Sequence, residues 1–481
     1  MKISKLFILF LLTYFSFTLL ADDKVEPGRF VKDIKIKELK FDIPKVKPEE
    51  ISKDIILYSE YQDEFPIVDI EIHFYSGESS ADKVPKELPI ILGDSWKYGG
   101  SKKLMDEKLV GKIESLGGRI GVSVEFDKTI ISISYLSREE DEVLELLEDF
   151  ILTPAFTETA IVNAKKKLSE SIHRRNERTE SVGFRKVKES IFKGYNKGVP
   201  YSIESLDKVT KESILEFYED MIKSRKKAIV LTGKFNKEKT ISKLKSILSI
   251  EENRDSGFAE EVISLEKLKK DFELIKLDPI LVQKDVNQSM VIKYGILPPH
   301  NHKDFFAIQL LNYIIGGGGF NSYFMQKIRE EKGLAYSAAS YPVFEKSYGI
   351  IYFYTLTKNE SLKEATSIME EILSENTFSK ITEKELEDAK SSIINQFIFL
   401  FTNKHSILSN QLGFDEDEMP ENYLEIYRDK IKSVTLEDLQ RIGKTYFENK
   451  NLKSLFISSK DNLEKIFPGK SQIDPEDSLR D

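Results

Sequence analysis

The second half of this chain repeats the first, and that repeat limits its possible folds more than any other feature of the sequence. From Lys112 the residues read KIESLGGRIGVSVEFDKTIISISYL, and from Lys327 they read KIREEKGLAYSAASYPVFEKSYGIIYFYTL. Each passes from a helix end through a glycine-marked turn into an alternating strand, a polar turn and a second alternating strand. Further on, DKVTKESILEFYEDMIKSRKKAIVLTG from Asp207 is answered by KSVTLEDLQRIGKTYFENKNLKSLFIS from Lys432. In both, a threonine N-cap (Thr210, Thr435) opens an amphipathic helix that leads into a β-branched strand. The spacing between copies drifts by about ten residues, as indels in surface loops allow. A period this long excludes a solenoid of short units and implies duplicated domains. Strands and long helices mixed within each copy give an α+β fold of two homologous lobes, each a mixed β-sheet packed with α-helices.

Punctuation divides the chain further. Residues 1–21 combine a basic start (Lys2, Lys5), an apolar run and Ala21 before two aspartates, the pattern of an export signal. The expected location is therefore outside the cytoplasm, in the periplasm. Leu19 is a poor residue three places before the cleavage point, so an uncleaved membrane anchor stays open. Residues 22–50 alternate lysine with apolar residues as an N-terminal arm, residues 51–250 form the first lobe, and the charged stretch 251–285 reads as a linker. The second lobe spans 286–462, and the polar tail 463–481 is expected to be disordered.

Composition excludes several functions. The net charge of -9 argues against nucleic-acid binding, which needs a basic surface. Cysteine is absent, which removes disulfides, a thiol nucleophile and Cys-based zinc sites. Zinc hydrolases need paired ligands one helical turn apart and a carboxylate to activate water. None of HxxEH, HExxH or HxxxH occurs among the five histidines (His73, His173, His300, His302, His405), and His300 and His302 read as solvated loop residues. Gly316, Gly317, Gly318 and Gly319 lack the following GK[ST] of a phosphate loop and follow a helix, so they read as a mobile turn between two helices.

The stretch GGGGFNSYFMQKIREEKGLAYSAASYPVF (Gly316 to Phe344) resembles the non-zinc half of the insulinase-like (pitrilysin or inverzincin, M16-type) metallopeptidases, which include the processing-peptidase subunits. LGGRIGVSVEFDKTIISISYL, the turn near Pro154 and Phe156, and the VTKESILEFYEDMI…AIVLTG run also match, so the resemblance covers about residues 65–460. It implies that the two lobes form a clamshell. Aligned on the neighbouring strand and glycine, the family's HxxEH falls on Ile90, Ile91, Leu92, Gly93 and Asp94, and only Glu170, near the third-ligand position, remains. No metal or cofactor is expected in this chain. In active relatives a pair matching Arg329 and Tyr336 reaches across to the substrate, so the resemblance implies that Arg329 grips a carbonyl and Tyr336 supports the oxyanion, in trans. The resemblance also implies Gly316–Gly319 as a substrate loop. From the residue types alone the favoured reading is Arg329 as a solvated helix-end charge and Tyr336 as half-buried sheet packing; the resemblance is what brings the pair forward. Two functions stay open: a zinc-free subunit that helps an HxxEH-bearing partner bind peptides or unfolded protein, with zinc only in that partner, or an inert scaffold like respiratory-complex core proteins.

Overall fold

The first sheet is built from strands whose two faces differ. In β3 (Ile67–Phe74), Val68, Ile70, Ile72 and Phe74 enter the core while Glu71 and His73 face the opposite side. This computed structural model describes residues 45–479, apart from 82, 224–225, 250–257, 259–260 and 276–278. The expected signal (1–21) and most of the arm (22–50) lie outside the described residues.

Six strands make that sheet: β1 (Glu49–Ser52), β2 (Ile55–Tyr61), β3, β4 (Arg119–Val124), β5 (Thr129–Leu136) and β6 (Lys227–Gly233), in the order β1-β2-β6-β3-β5-β4. Only β2 and β6 run parallel. The second sheet has β7 (Ile280–Gln283), β8 (Gln288–Leu297), β9 (Ala335–Phe344), β10 (Gly349–Lys358) and β11 (Lys453–Ser458), in the order β7-β11-β8-β10-β9, with β7 and β11 parallel. Without β1 the two topologies superimpose strand for strand. The duplication read from the sequence is therefore present in the fold, and the chain is α+β with two helix-packed sheets. Thr435 caps its helix through a reciprocal capping box with Asp438, and Thr210 Oγ1 accepts from Ser213 N.

Helix α1 (Leu88–Gly99) has Pro89 in its first turn and buries Leu88, Ile91, Leu92 and Trp96 against the first sheet. Trp96 donates from Nε1 to Phe150 O at 2.9 Å and stacks on the Phe150 ring. The helix Glu140–Leu152 stops just before Pro154. Phe156 then holds a φ of 40° with its ring buried against Tyr218. Helix α2 (Glu158–Arg174), capped by Thr157, lies along α1.

Two helices are exchanged between the lobes, a feature that amphipathic periodicity alone does not disclose. Helix α3 (Thr179–Ile191) belongs to the first lobe by sequence, yet Val182, Val187 and Ile191 share a core with Met290, Ile292, Tyr294, Leu455 and Ile457 of the second sheet. Helix α4 (Phe305–Asn312) covers the other face of that sheet. Helix α5 (Lys404–Glu416) returns the exchange, placing Leu408 and Leu412 on Tyr58, Ala228 and Val230 of the first sheet. Gly183 marks the closest approach of α3, since a Cβ there would stand 2.7 Å from Ile292 Cδ1 and 3.0 Å from Met290 Sδ. Those side-chain ends can shift, so Gly183→Ala should change stability by less than about 1 kcal/mol, its helix propensity offsetting the crowding. Gly183→Val should cost about 1–3 kcal/mol. Urea unfolding followed by the fluorescence of Trp96, the sole tryptophan, measures both.

The tail corrects an expectation. Its residues are polar, but Ile473 pairs in parallel beside β7, donating to Leu281 O at 2.9 Å and accepting from Gln283 N at 2.8 Å. Glu476 meets Arg175 at 2.6 Å, and Pro475 O accepts from Arg185. Ile473 and Leu479 packed against the core, with Asp474, Pro475 and Glu476 bonded to neighbouring side chains, dock a segment whose composition alone suggests disorder.

Candidate functional site

On α1, the residues aligned with the metal motif are occupied otherwise. Ile91 and Leu92 are core residues, and Ile90 packs against that core as a partly buried side chain. Gly93 is buried under the edge strand β4, and a Cβ there would lie 2.7 Å from Val124 Cγ2. Val124 thus fills the space into which a catalytic carboxylate would project. Asp94 is the one donor-bearing residue of the five, and both its oxygens meet Lys167 Nζ from α2, at 2.9 and 2.8 Å. Glu170 lies nearly one turn further along α2 and is exposed. A cavity of about 790 Å³ opens beside the ion pair, lined by Asp94, Tyr98, Asp106, Asn163 and Lys167 among others.

These residues do not fit a zinc ion. The ion needs three protein ligands and an open position, whereas here one carboxylate is already balanced by an ammonium. Among the described residues, no group of three or more histidine, aspartate or glutamate side chains is placed to hold a metal. The histidines have other work. His73 and His405 lie between the first sheet and α5. His300 is not a solvated loop residue: it pairs with Asp417 at 2.7 Å inside a nest of Phe305, Phe344, Phe414 and Tyr423 rings. Phe305 is local to His300, but Phe344, Phe414, Tyr423 and Asp417 come from distant segments and carry no mark in the loop itself.

The second constellation is assembled by a glycine-controlled chain reversal. Helix α4 runs into a π-helical turn, Tyr313–Gly317, and a second π-helical segment covers Met325–Glu331. Gly333, at a φ of 64°, ends it, with its own N–H on Arg329 O and that of Leu334 on Ile328 O. The chain then enters β9, the edge strand that carries Tyr336. This brings together the two residues singled out from the sequence: Arg329 Cζ lies 5.1 Å from the Tyr336 ring centroid. It also lies 5.2 Å from the ring centroid of Phe320. Tyr336 is 77% and Phe320 62% exposed, so neither ring is sheet or core packing. The guanidinium carbon lies within cation–π range of both rings, which restrains the arginine near Tyr336. Phe320 was missed by sequence reasoning, although an aromatic residue directly after a glycine run was the available signal.

The glycines have a packing role. A Cβ at Gly316 would come within 2.5 Å of Ser340 Oγ on β9, one at Gly317 within 2.4 Å of Asn312 Nδ2, and one at Gly318 within 2.6 Å of Tyr313 O. Three of the four glycines therefore serve close backbone approach at a tight junction rather than a mobile turn, and Gly319 supplies a φ of 60°. The turn closes in front of Phe320 and so sets where its ring meets Arg329.

Comparison with known proteins places the architecture. Residues 97–203 match the family model described as insulinase (peptidase family M16), and residues 208–393 match the one described as the peptidase M16 inactive domain. The chain belongs to this insulinase-like M16 peptidase family. The first match begins just beyond Asp94, so it does not include the five altered positions. Among the relatives is a Helicobacter pylori protein named non-peptidase homolog YmxG, 22% identical over 82% of this chain and 90% of that one. An uncharacterized zinc protease YmxG of Bacillus subtilis is 20% identical over 73% of this chain and 83% of its own. The crystal structure of a peptidase M16 inactive domain from Pseudomonas fluorescens superimposes with a TM-score of 0.72 at 16% identity, covering 87% of this chain and 98% of the other. A protease from Helicobacter pylori gives a TM-score of 0.68 at 16% identity, covering 87% and 100%.

Proposed function

We propose that this chain is a zinc-free, non-catalytic subunit of a peptidase, exported together with an HxxEH-bearing member of the same family whose peptide substrates it helps bind and orient. The observation that carries this reading is the contrast between the two constellations. At the motif positions Ile90 packs against the core, Val124 crowds Gly93 and Asp94 pairs with Lys167, while Arg329 lies 5.1 Å from the ring of the exposed Tyr336. A guanidinium fixed by rings grips a carbonyl at less entropic cost than a free one, and an exposed phenol can donate to a developing oxyanion. In this reading the partner supplies the metal and the general base, and extended peptides bind by their backbone, which tolerates many sequences. The test is to assay unfolded peptides with this chain, with its closest HxxEH-bearing companion, and with both. The mixture should exceed the companion alone. A companion fully active by itself, with Arg329→Ala in the mixture changing nothing, would sink the reading.

A second reading is favoured by the name of the Helicobacter pylori relative, a non-peptidase homolog. As an inert scaffold the chain would bind a partner stably and give no peptide turnover in any mixture.

A further inference from the structure

The face of the first sheet that turns away from its core carries charge. Glu60 on β2, Asp69, Glu71 and His73 on β3, Thr232 on β6, and Asp127 and Lys128 in the β4–β5 turn share the side covered by α5. From α5, Lys404 meets Glu60 at 2.5 Å, and Ser409 Oγ donates to Glu71 at 2.9 Å. His405 reaches Glu71 with Nε2 at 3.1 Å and Thr232 Oγ1 with Nδ1 at 3.0 Å. Asp415 accepts from Tyr58 OH at 2.7 Å, while Glu416 accepts from Tyr75 OH at 2.5 Å and from Lys128 at 2.7 Å. His73 sits in the middle. Its Nε2 is 3.5 Å from Glu71, and its buried Nδ1 lies 3.7 Å from Glu416 with no hydrogen-bond acceptor of its own.

We propose that His73 makes the seam between the lobes sensitive to pH, its protonated ring clasping the first sheet to α5 through Glu71 and Glu416. The carboxylates of Glu60, Asp69, Glu71, Asp127, Asp415 and Glu416 outnumber the lysines Lys128 and Lys404 that face them. A charge on His73 reduces that imbalance in a place where unpaired charge is costly. Burial opposes a charge on the ring, but Glu416 and Glu71 outweigh it and raise the histidine's pKa above its ordinary value, even with Lys128 nearby. Burial likewise opposes ionisation of Glu71 and Glu416. Hydrogen bonds to Glu71 from His405, His73 and Ser409, and to Glu416 from His73, Lys128 and Tyr75, nonetheless hold both well below the usual carboxylate range. The His73 contribution is complete below the ordinary histidine value of about 6.5 and is lost as pH rises through the raised one. The glutamate contributions are complete above about 4.3 and are lost only as pH falls through their depressed values. The clasp is therefore tightest in mildly acidic solution and loosens toward alkaline pH.

Two measurements on the whole chain test this. The wild type at pH 6 should melt about 2–4 °C above His73→Gln, whose amide keeps a hydrogen bond without the charge, and the gap should close by pH 9. Hydrogen exchange in the wild type, corrected for the intrinsic pH dependence of exchange, should show α5 amides losing protection by about threefold or more from pH 6 to pH 9, relative to those of α2. A melting gap of equal size at both pH values, or α5 protection that does not change, overturns the proposal. The exchange measurement decides alone if His73→Gln does not fold.

Discussion

Replacing Tyr336 by Phe should lower kcat of the reconstituted pair by about 10²-fold or more, the usual cost of removing one oxyanion donor. The ring stays, so its cation–π contact with Arg329 stays, and only the phenolic hydroxyl is lost. KM should change little, because the donor acts on charge that develops in the transition state. Arg329→Ala should behave differently. In the proposed role Arg329 also contacts the bound substrate, so KM should rise and kcat fall together. Phe320→Ala leaves Arg329 with one supporting ring instead of two and should reproduce a weaker form of the arginine defect. Steady-state kinetics of the three variants in the mixture separate these outcomes. Equal activity of all three with the unaltered pair would remove Arg329 and Tyr336 from any role in turnover.

The second large effect concerns the lost metal site. Gly93→Glu, the substitution that restores the family's carboxylate, should destabilise the chain by about 3 kcal/mol or more. The new side chain would be driven into Val124, and its charge would be buried without a partner, because Asp94 and Lys167 are already joined. Adding Val124→Ala should recover part of the loss by reopening the space above the helix. Trp96 stands one turn from Gly93 and reports the change directly in urea unfolding. The triple change Ile90→His, Gly93→Glu, Asp94→His releases Lys167 beside the new ligands, and its ammonium repels a metal cation. A functional site therefore needs Lys167 and Val124 altered too. If Gly93→Glu were neutral, the space under β4 would be open, and the loss of the motif would be a matter of ligand types alone.

Much of the fold was legible because its strands alternate and its turns are marked. The segments from Lys112 and Lys327 each resolve into a strand pair, β4–β5 and β9–β10, next to equivalent neighbours in the two sheets. Periodicity shows that α3 has an apolar face but not which sheet it covers, and α5 is scarcely amphipathic, so the exchange between lobes emerged only in three dimensions. The metal motif could be judged lost from residue types. What took its place could not, since Val124 and Lys167 lie on other elements. Arg329 and Tyr336 were found through their resemblance to a family phrase and Phe320 lay unread in the same stretch, whereas Ile473 and most of the aromatic nest of His300 depend on contacts between distant segments. The network around His73 joins β3 to a helix more than 300 residues away in sequence, and its polar residues read singly as solvated charges.

The most direct test is to incubate the isolated, homogeneous chain with an unfolded peptide, with and without a zinc chelator, and to follow amide-bond cleavage. A chain that assists a partner but carries no metal of its own leaves the peptide intact under both conditions. Cleavage by the isolated chain that the chelator abolishes would contradict this and assign the hydrolytic centre to the chain itself.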